Sequence, residues 1–176
     1  MDRIYRAFLE NTLAEAAELQ AKSGVLTLLP LPPHPPSGYQ FEFRVPYLRR
    51  LAEGTIQTDP GPVLGLIRFP EDYLRSTDPK LYMKVVAVQN PDLVHPNVQD
   101  GCVCLGAGFA PGTPISALVW ELFEIVTYRN RTVDERNALN PEACRLVRAH
   151  PGLVDGLERP RLFRPRRKIR LTVKSL

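Results

Sequence analysis

Long apolar runs are missing from this sequence. None approaches the roughly 18 residues that a helix needs to cross a bilayer, so no membrane partner is expected. Cysteine is scarce: Cys102, Cys104 and Cys144 are the only three. The count is odd, and the first residues, Met-Asp-Arg-Ile-Tyr, have neither the basic start nor the apolar core of an export signal. Both points argue against a disulfide framework and for a cytoplasmic location. Histidine is as rare, at three. The nearest thing to a metal set is therefore His95, Cys102 and Cys104, which falls short of the usual four zinc ligands. No metal and no cofactor is expected. Acidic residues are absent from positions 159–176, where eight Lys or Arg stand, while the remaining residues carry 15 bases against 19 acids. That stretch has a single aromatic, Phe163, so base stacking is not indicated and nucleic acid is not an expected partner.

What is present describes an ordinary globular chain. Of 176 residues, 44% are apolar and 24% charged. A domain of this size buries roughly 70% of its unfolded surface and folds without staples. The expected organisation is one domain over residues 1–158 and a basic tail over 159–176. No internal repeat is visible.

Helical spacing of Tyr5, Phe8, Thr12 or Leu13, Ala16 and Leu19 or Gln20 predicts a helix over 2–22, capped by Asp2 and stopped by Gly24. Val25 to Leu29 is a short apolar run. The following Pro30-Leu-Pro-Pro-His-Pro-Pro predicts a stiff extended connector. Tyr39, Phe41, Phe43 and Val45 alternate with polar residues and predict a strand. Residues 46–62 hold turn signals, including Asp59-Pro-Gly-Pro. Val63–Phe69 and Leu81–Val88 read as further strands, and strands in succession suggest an antiparallel meander. Asn90 to Pro114 is irregular and rich in Gly and Pro, which marks a functional loop. Thr113 then caps a helix whose first turn Pro114 takes, with the stripe Ile115, Leu118, Val119, Leu122, Phe123 and Val126. Trp120 falls beside this stripe as packing. A second helix opens at Asn140-Pro141-Glu142 and runs to about Ala149. The expected class is α+β: N-terminal helix, antiparallel meander of about four strands, active-site loop and two C-terminal helices.

Inside the irregular segment lies His95-Pro-Asn-Val-Gln-Asp-Gly-Cys-Val-Cys-Leu105. A sulfur at Cys104 and a carboxamide at Asn97 supply a nucleophile and a donor for a developing oxyanion, two of the parts acyl transfer needs. Thioester exchange swaps one sulfur for another, so it needs positioning more than a strong base.

In order along the chain, these pieces resemble the ubiquitin-conjugating enzymes, and more closely their bacterial relatives. Phe69-Pro-Glu-Asp-Tyr73 matches Phe-Pro-x-x-Tyr-Pro, with Leu74 in place of the second proline. His95-Pro96-Asn97 matches the family's tripeptide. Gly101-Cys-Val-Cys104-Leu105 matches Gly-x-Ile-Cys-Leu around the catalytic cysteine. Phe109 to Ile115 resembles Trp-Ser-Pro-x-x-Thr-Ile, and Ala138 to Ala143 resembles the Pro-Leu-Asn-x-Glu-Ala of the bacterial members.

The resemblance implies the ubiquitin-conjugating fold. It implies an enzyme that accepts a ubiquitin-like modifier protein from an activating enzyme as a thioester on Cys104 and passes it to a lysine of a target protein. In bacterial members it also implies a setting in antiphage defence. It makes His95, Pro96, Gly101 and Leu105 structural parts of the motif, and Tyr128, Asn137 and Asn140 candidates for contacting the acceptor lysine or the carrier's tail. Arg164, Arg166, Arg167 and Lys168 become candidates for docking the activating enzyme. The family's acidic positions are Gly106 and Asn137 here, so no lysine-activating group is assigned. The alternative is a non-catalytic variant that binds modifier or activating enzyme as a scaffold.

Overall fold

Asp2 acts as a helix cap, as its position predicts. Its carboxylate accepts the Ile4 N–H at 3.0 Å and opens α1 (Arg3–Lys22) in the computed structural model, which describes residues 2–76, 84–106 and 110–163. Tyr5, Leu9, Thr12, Ala16 and Leu19 return every three or four residues and form the buried stripe of α1. Phe8 packs at the edge of that stripe and meets Phe69 edge-on at 5.3 Å.

The apolar run after α1 is a strand. β1 (Leu26–Leu31) pairs in register with β2 (Gly38–Phe43), Leu26 facing Phe43 and Leu31 facing Gly38. The connector expected to start at Pro30 therefore starts after Leu31. Proline is tolerated there because β1 is the outermost strand. Its free edge is also closed from outside. The Leu26 N–H goes to Ser23 Oγ at 3.1 Å, the Leu28 N–H goes to Gln20 Oε1 at 2.7 Å, and Pro30 has none to offer.

The alternation read from Tyr39, Phe41 and Phe43 holds: all three are fully buried. The turn region of residues 46–62 holds a hairpin as well as turns, β3 (Tyr47–Arg50) against β4 (Ile56–Asp59). The predicted Asp59 turn is present, with Asp59 Oδ1 accepting the Gly61 N–H at 2.7 Å. β5 (Val63–Arg68) pairs with β2 and with β6 (Val86–Val88). The strand expected from Leu81 is shorter at its start, since Lys84 and Val85 are helical; residues 81–83 lie outside the described residues. Gly65 of β5 lies under the Phe41 ring, and a Cβ there would sit 2.2 Å from the Ala87 carbonyl and 2.3 Å from Phe41 Cζ. β7 (Val98–Gln99) and β8 (Cys102–Val103) extend the antiparallel sheet to the order β1-β2-β5-β6-β8-β7.

α2 (Ile115–Val126) lies on the sheet beside α1 and buries the predicted stripe; Phe43 meets Phe123 at 5.6 Å. Thr113 does not cap it. The Thr113 hydroxyl closes a turn with Ala110 instead, and Pro114 holds the cap position. Tyr73 Oη donates to the Thr113 carbonyl at 2.8 Å, so the Phe69–Tyr73 segment braces the entry to α2. Trp120 is half exposed and stacks on Phe163.

α3 (Pro141–Ala149) is followed by a short helix, α4 (Pro151–Asp155), past the predicted end near Ala149. The C-terminal part thus has three helices rather than two. Leu48, Ile56, Val94, Tyr128, Ala143, Val147, Val154 and Leu157 form a second, smaller core between the β3–β4 hairpin and α3–α4. The described architecture is α+β, with an N-terminal helix, an antiparallel sheet and C-terminal helices. Residues 159–163, counted within the basic tail, are fastened to this body. Arg129 donates to the Arg159 and Pro160 carbonyls, Ser23 Oγ donates to the Leu162 carbonyl at 2.6 Å, and Leu162 is buried. No described helix is long and apolar enough to cross a membrane.

Candidate functional site

Asp100 and Gly101 create the site. Both have positive φ, 51° and 80°, and they form a two-residue loop between Gln99 and Cys102. That is the pattern of a tight type I′ hairpin, in which the backbone twist matches that of the flanking strands. A Cβ on residue 101 would lie 2.9 Å from the Val88 carbonyl. Glycine is required there for its φ and for its close approach to β6.

The hairpin ladder runs on past its strands. Val98 faces Val103, and the Cys104 N–H donates to the Asn97 carbonyl at 2.8 Å. Asn97 and Cys104 are therefore cross-strand neighbours, joined by that one backbone hydrogen bond. Side chains alternate along a strand. Val103 points into the core at 1% exposure, and Cys102 and Cys104 share the opposite face, where both are partly exposed.

Asn97 is held at both ends. Its Oδ1 accepts the Thr132 N–H at 2.9 Å, and its Nδ2 lies 3.5 Å from the Cys104 carbonyl oxygen. The first bond fixes the carboxamide plane. The second is long and occupies one N–H of two, so the amine end stays available beside Cys104.

His95 is fully buried. Its Nδ1 accepts the Asn97 N–H at 3.0 Å, which makes Nδ1 the unprotonated nitrogen and places the hydrogen of the neutral ring on Nε2. Nε2 has no partner that meets hydrogen-bond geometry, although the Ile125 backbone lies close enough to favour the protonated ring slightly. Burial, reinforced by the Arg131 cation, pushes the His95 pKa down to about 3. A neutral ring with its basic nitrogen tied to the Asn97 amide cannot take a proton from Cys104. It sets the turn, and Pro96 supplies the carbonyl that accepts the Asn140 N–H at 2.9 Å.

Tyr128 is placed otherwise than a ligand-contacting loop residue would be. It is 1% exposed, its ring packs on His95 at 4.6 Å, and its hydroxyl donates to the buried Val94 carbonyl. Burial raises its pKa. An aromatic side chain in that position holds the loop from beneath and does not reach an incoming lysine. Asn140 is likewise committed: its Oδ1 caps α3 through the Ala143 N–H at 2.9 Å, and its Nδ2 donates to the Val98 carbonyl at 3.1 Å. The effect is to tie α3 to the hairpin. Asn137 is exposed, with its amide 3.4 Å from Asp134 Oδ2. Leu105 is buried behind Cys104. Arg164, Arg166, Arg167 and Lys168 lie outside the described residues, as does Phe109 of the segment leading into α2.

Thr132 and Arg131 are the residues that sequence reasoning missed. One fixes Asn97 through its backbone and the other biases His95 through its charge. Nothing in the sequence marks either, since each acts across a loop junction that only the fold creates. A polar cleft of about 250 Å³ lies on the far side of the Asp100–Gly101 turn, between Arg50, Asp92, Asn140 and Glu142; Cys104 does not line it. Among the described residues, no group of three or more His, Cys, Asp or Glu is placed to hold a metal ion.

Chemically, the site offers a partly exposed thiol on a tight hairpin and a carboxamide donor opposite it, with His95 withheld as a base. No protein-family model matches this sequence, and no curated protein matches it.

Proposed function

We propose that the protein is a ubiquitin-conjugating-like enzyme of the ubiquitin-conjugating fold, with Cys104 as its nucleophile. In the first step the Cys104 thiolate attacks the thioester between a ubiquitin-like modifier and its activating enzyme. A carbon–sulfur bond forms at Cys104, one breaks at the donor, and the departing thiolate takes up the proton that the Cys104 thiol gave up. In the second step an amine of the target attacks the Cys104 thioester. The oxyanion of that tetrahedral intermediate forms beside Asn97, whose Nδ2 donates to it; the carbon–sulfur bond breaks, and the departing Cys104 thiolate takes up the proton that the amine gives up.

One observation carries this reading: Asn97 and Cys104 are cross-strand neighbours, and the carboxamide is clamped through its oxygen by the Thr132 N–H. A preorganised donor costs no reorientation as charge develops, which elsewhere is worth about 10²–10³ in rate. The same clamp also holds the loop, so the two roles of Asn97 coexist. A strong base beside Cys104 is not required, because thioester exchange is nearly isoenergetic.

The test is to mix the chain with modifier, activating enzyme and ATP and run the products without reductant. A reductant-sensitive adduct that disappears in Cys104→Ala supports the enzyme. No adduct from partners that are themselves active would leave a scaffold that binds modifier or activating enzyme. Cys102→Ser should load almost normally; a variant as dead as Cys104→Ala would mean that the wrong sulfur has been assigned.

A further inference from the structure

Burial alternates along β1, β2, β5 and β6, and the antiparallel register sends the less buried residues of all four strands to one side of the sheet. Across that side runs a line of cross-strand partners, Leu29, Gln40, Leu66 and Ala87. A sheet face turned to water is ordinarily polar. This one carries Leu29, Leu31, Leu64, Leu66 and Ala87, all of them partly or well exposed. The four leucines belong to neither core, and Leu29 is 53% exposed. A Cβ at Gly38 would lie 3.7 Å from both Leu31 Cδ1 and Arg68 Cγ, so these two side chains also share the outer side.

Charge on this face is sorted by end. On one side of the central line, Arg68 and Lys84 border a hollow beside Leu31 and Phe69, and neither has an ion-pair partner among the described residues. On the other side, Glu42 and Glu158 border a second hollow beside Pro46 and Pro60, with Arg44 as its one cation. Arg44 lies 3.4 Å from Glu42 in a pair open to solvent.

We propose that two copies of this chain pair through the outer face, sheet against sheet, about a twofold axis running along the line Leu29–Gln40–Leu66–Ala87. A twofold contact must be complementary to itself. An axis along that line turns each strand end for end against its own copy. Leu66 then meets Leu66, and the Arg68–Lys84 end of one copy meets the Glu42–Glu158 end of the other. Arg68 and Glu42 each stand two residues from the line, about 6.7 Å along their strands. Packed sheets lie about 10 Å apart, a gap that arginine and glutamate side chains reach across together. An axis along the strands would set like ends together, cation against cation, so charge selects the first arrangement. The patch is modest, four strands about 4.8 Å apart, which makes the dimer weak and concentration-dependent. It asks nothing of the Cys104 thiol and is independent of the proposed function.

The experiment is sedimentation equilibrium of the whole chain from about 5 to about 500 µM. The mass should rise from 19.8 kDa toward twice that value. Leu66→Arg should stay monomeric throughout, with circular dichroism as the check on its fold. Arg68→Glu and Glu42→Arg test the same contact without touching an apolar residue. Each should weaken pairing about tenfold or more. Mixed in equal amounts, the two should pair with each other about as well as the unaltered chain pairs with itself, because every contact between positions 42 and 68 again joins opposite charges. Three results overturn the proposal: an unaltered chain that stays at 19.8 kDa at every concentration, a dimer that Leu66→Arg leaves intact, or charge variants that pair undiminished or fail to restore each other. In the first case, a ubiquitin-like protein that binds the unaltered chain and not Leu66→Arg would give the face to a different occupant.

Discussion

Acid should loosen this protein through one buried ring. His95 titrates at about 6.5 when exposed and is pushed down to about 3 by burial and Arg131. The folded state therefore holds it neutral, while the unfolded chain binds a proton as pH drops below about 6.5. Its contribution to stability is complete above that value and is lost as pH falls from there toward about 3. Each unit of pH in this window is worth about 1.4 kcal/mol. Between about pH 7 and about pH 5 the expected loss from His95 alone is about 2 kcal/mol. The comparison is His95→Asn, whose side-chain oxygen can still accept the Asn97 N–H but does not titrate. Urea unfolding at the two pH values measures each stability by linear extrapolation. The unaltered chain should lose about 2 kcal/mol more than the variant over that interval. Nitrogen-resolved NMR of the imidazole should show the hydrogen on Nε2 and no titration at ordinary histidine pH. Equal losses in the two proteins, or a His95 resonance that titrates near its unburied value, would refute the buried-neutral assignment and the tautomer with it.

Gly65→Ala should destabilise by about 1–3 kcal/mol or more in chemical denaturation, because the new methyl must displace the Phe41 ring and the Ala87 carbonyl. Asn140→Ala should cost about 1 kcal/mol for the lost cap of α3, plus a further loss for the released Val98 carbonyl, readable as a lowered Tm. Asn97→Ala should still load at Cys104 but discharge onto lysine about 10²–10³ more slowly in a single-turnover chase. A normal discharge rate would exclude the oxyanion role. Cys104→Ser should either trap a reductant-stable oxyester or fail to load.

Where burial strictly alternated, the sequence was easy to read. Tyr39, Phe41 and Phe43 declare their inner face because a strand repeats every two residues, and α1 and α2 declare theirs at helical spacing. Strands too short to show a period escaped. β7 and β8 have two residues each, and the segment holding them reads as irregular although Asp100-Gly101 is among the strongest hairpin signals a sequence carries. Pro30 misled for the opposite reason: the rule against proline in a sheet applies to interior strands, and a sequence does not say which strand lies outermost. At the site, the residue types at positions 97 and 104 suggested a nucleophile and an oxyanion donor. Their apposition did not show, nor did the clamp from Thr132, because each depends on hairpin register and on a loop that returns from 35 residues away. Tyr128 illustrates the remaining gap. The resemblance placed it on the loop beside the cysteine, but in the structure it is buried against His95, with a φ of 58°.

The sealed rim of β1 has a consequence for the crowded cell. An outermost strand with idle amides is a template on which another chain can crystallise, one rung after another. Here a serine, a glutamine and a proline leave no donor along that rim for a visiting strand to grip. A visiting strand therefore finds no amide of β1 to pair with, which keeps that edge from propagating into fibres.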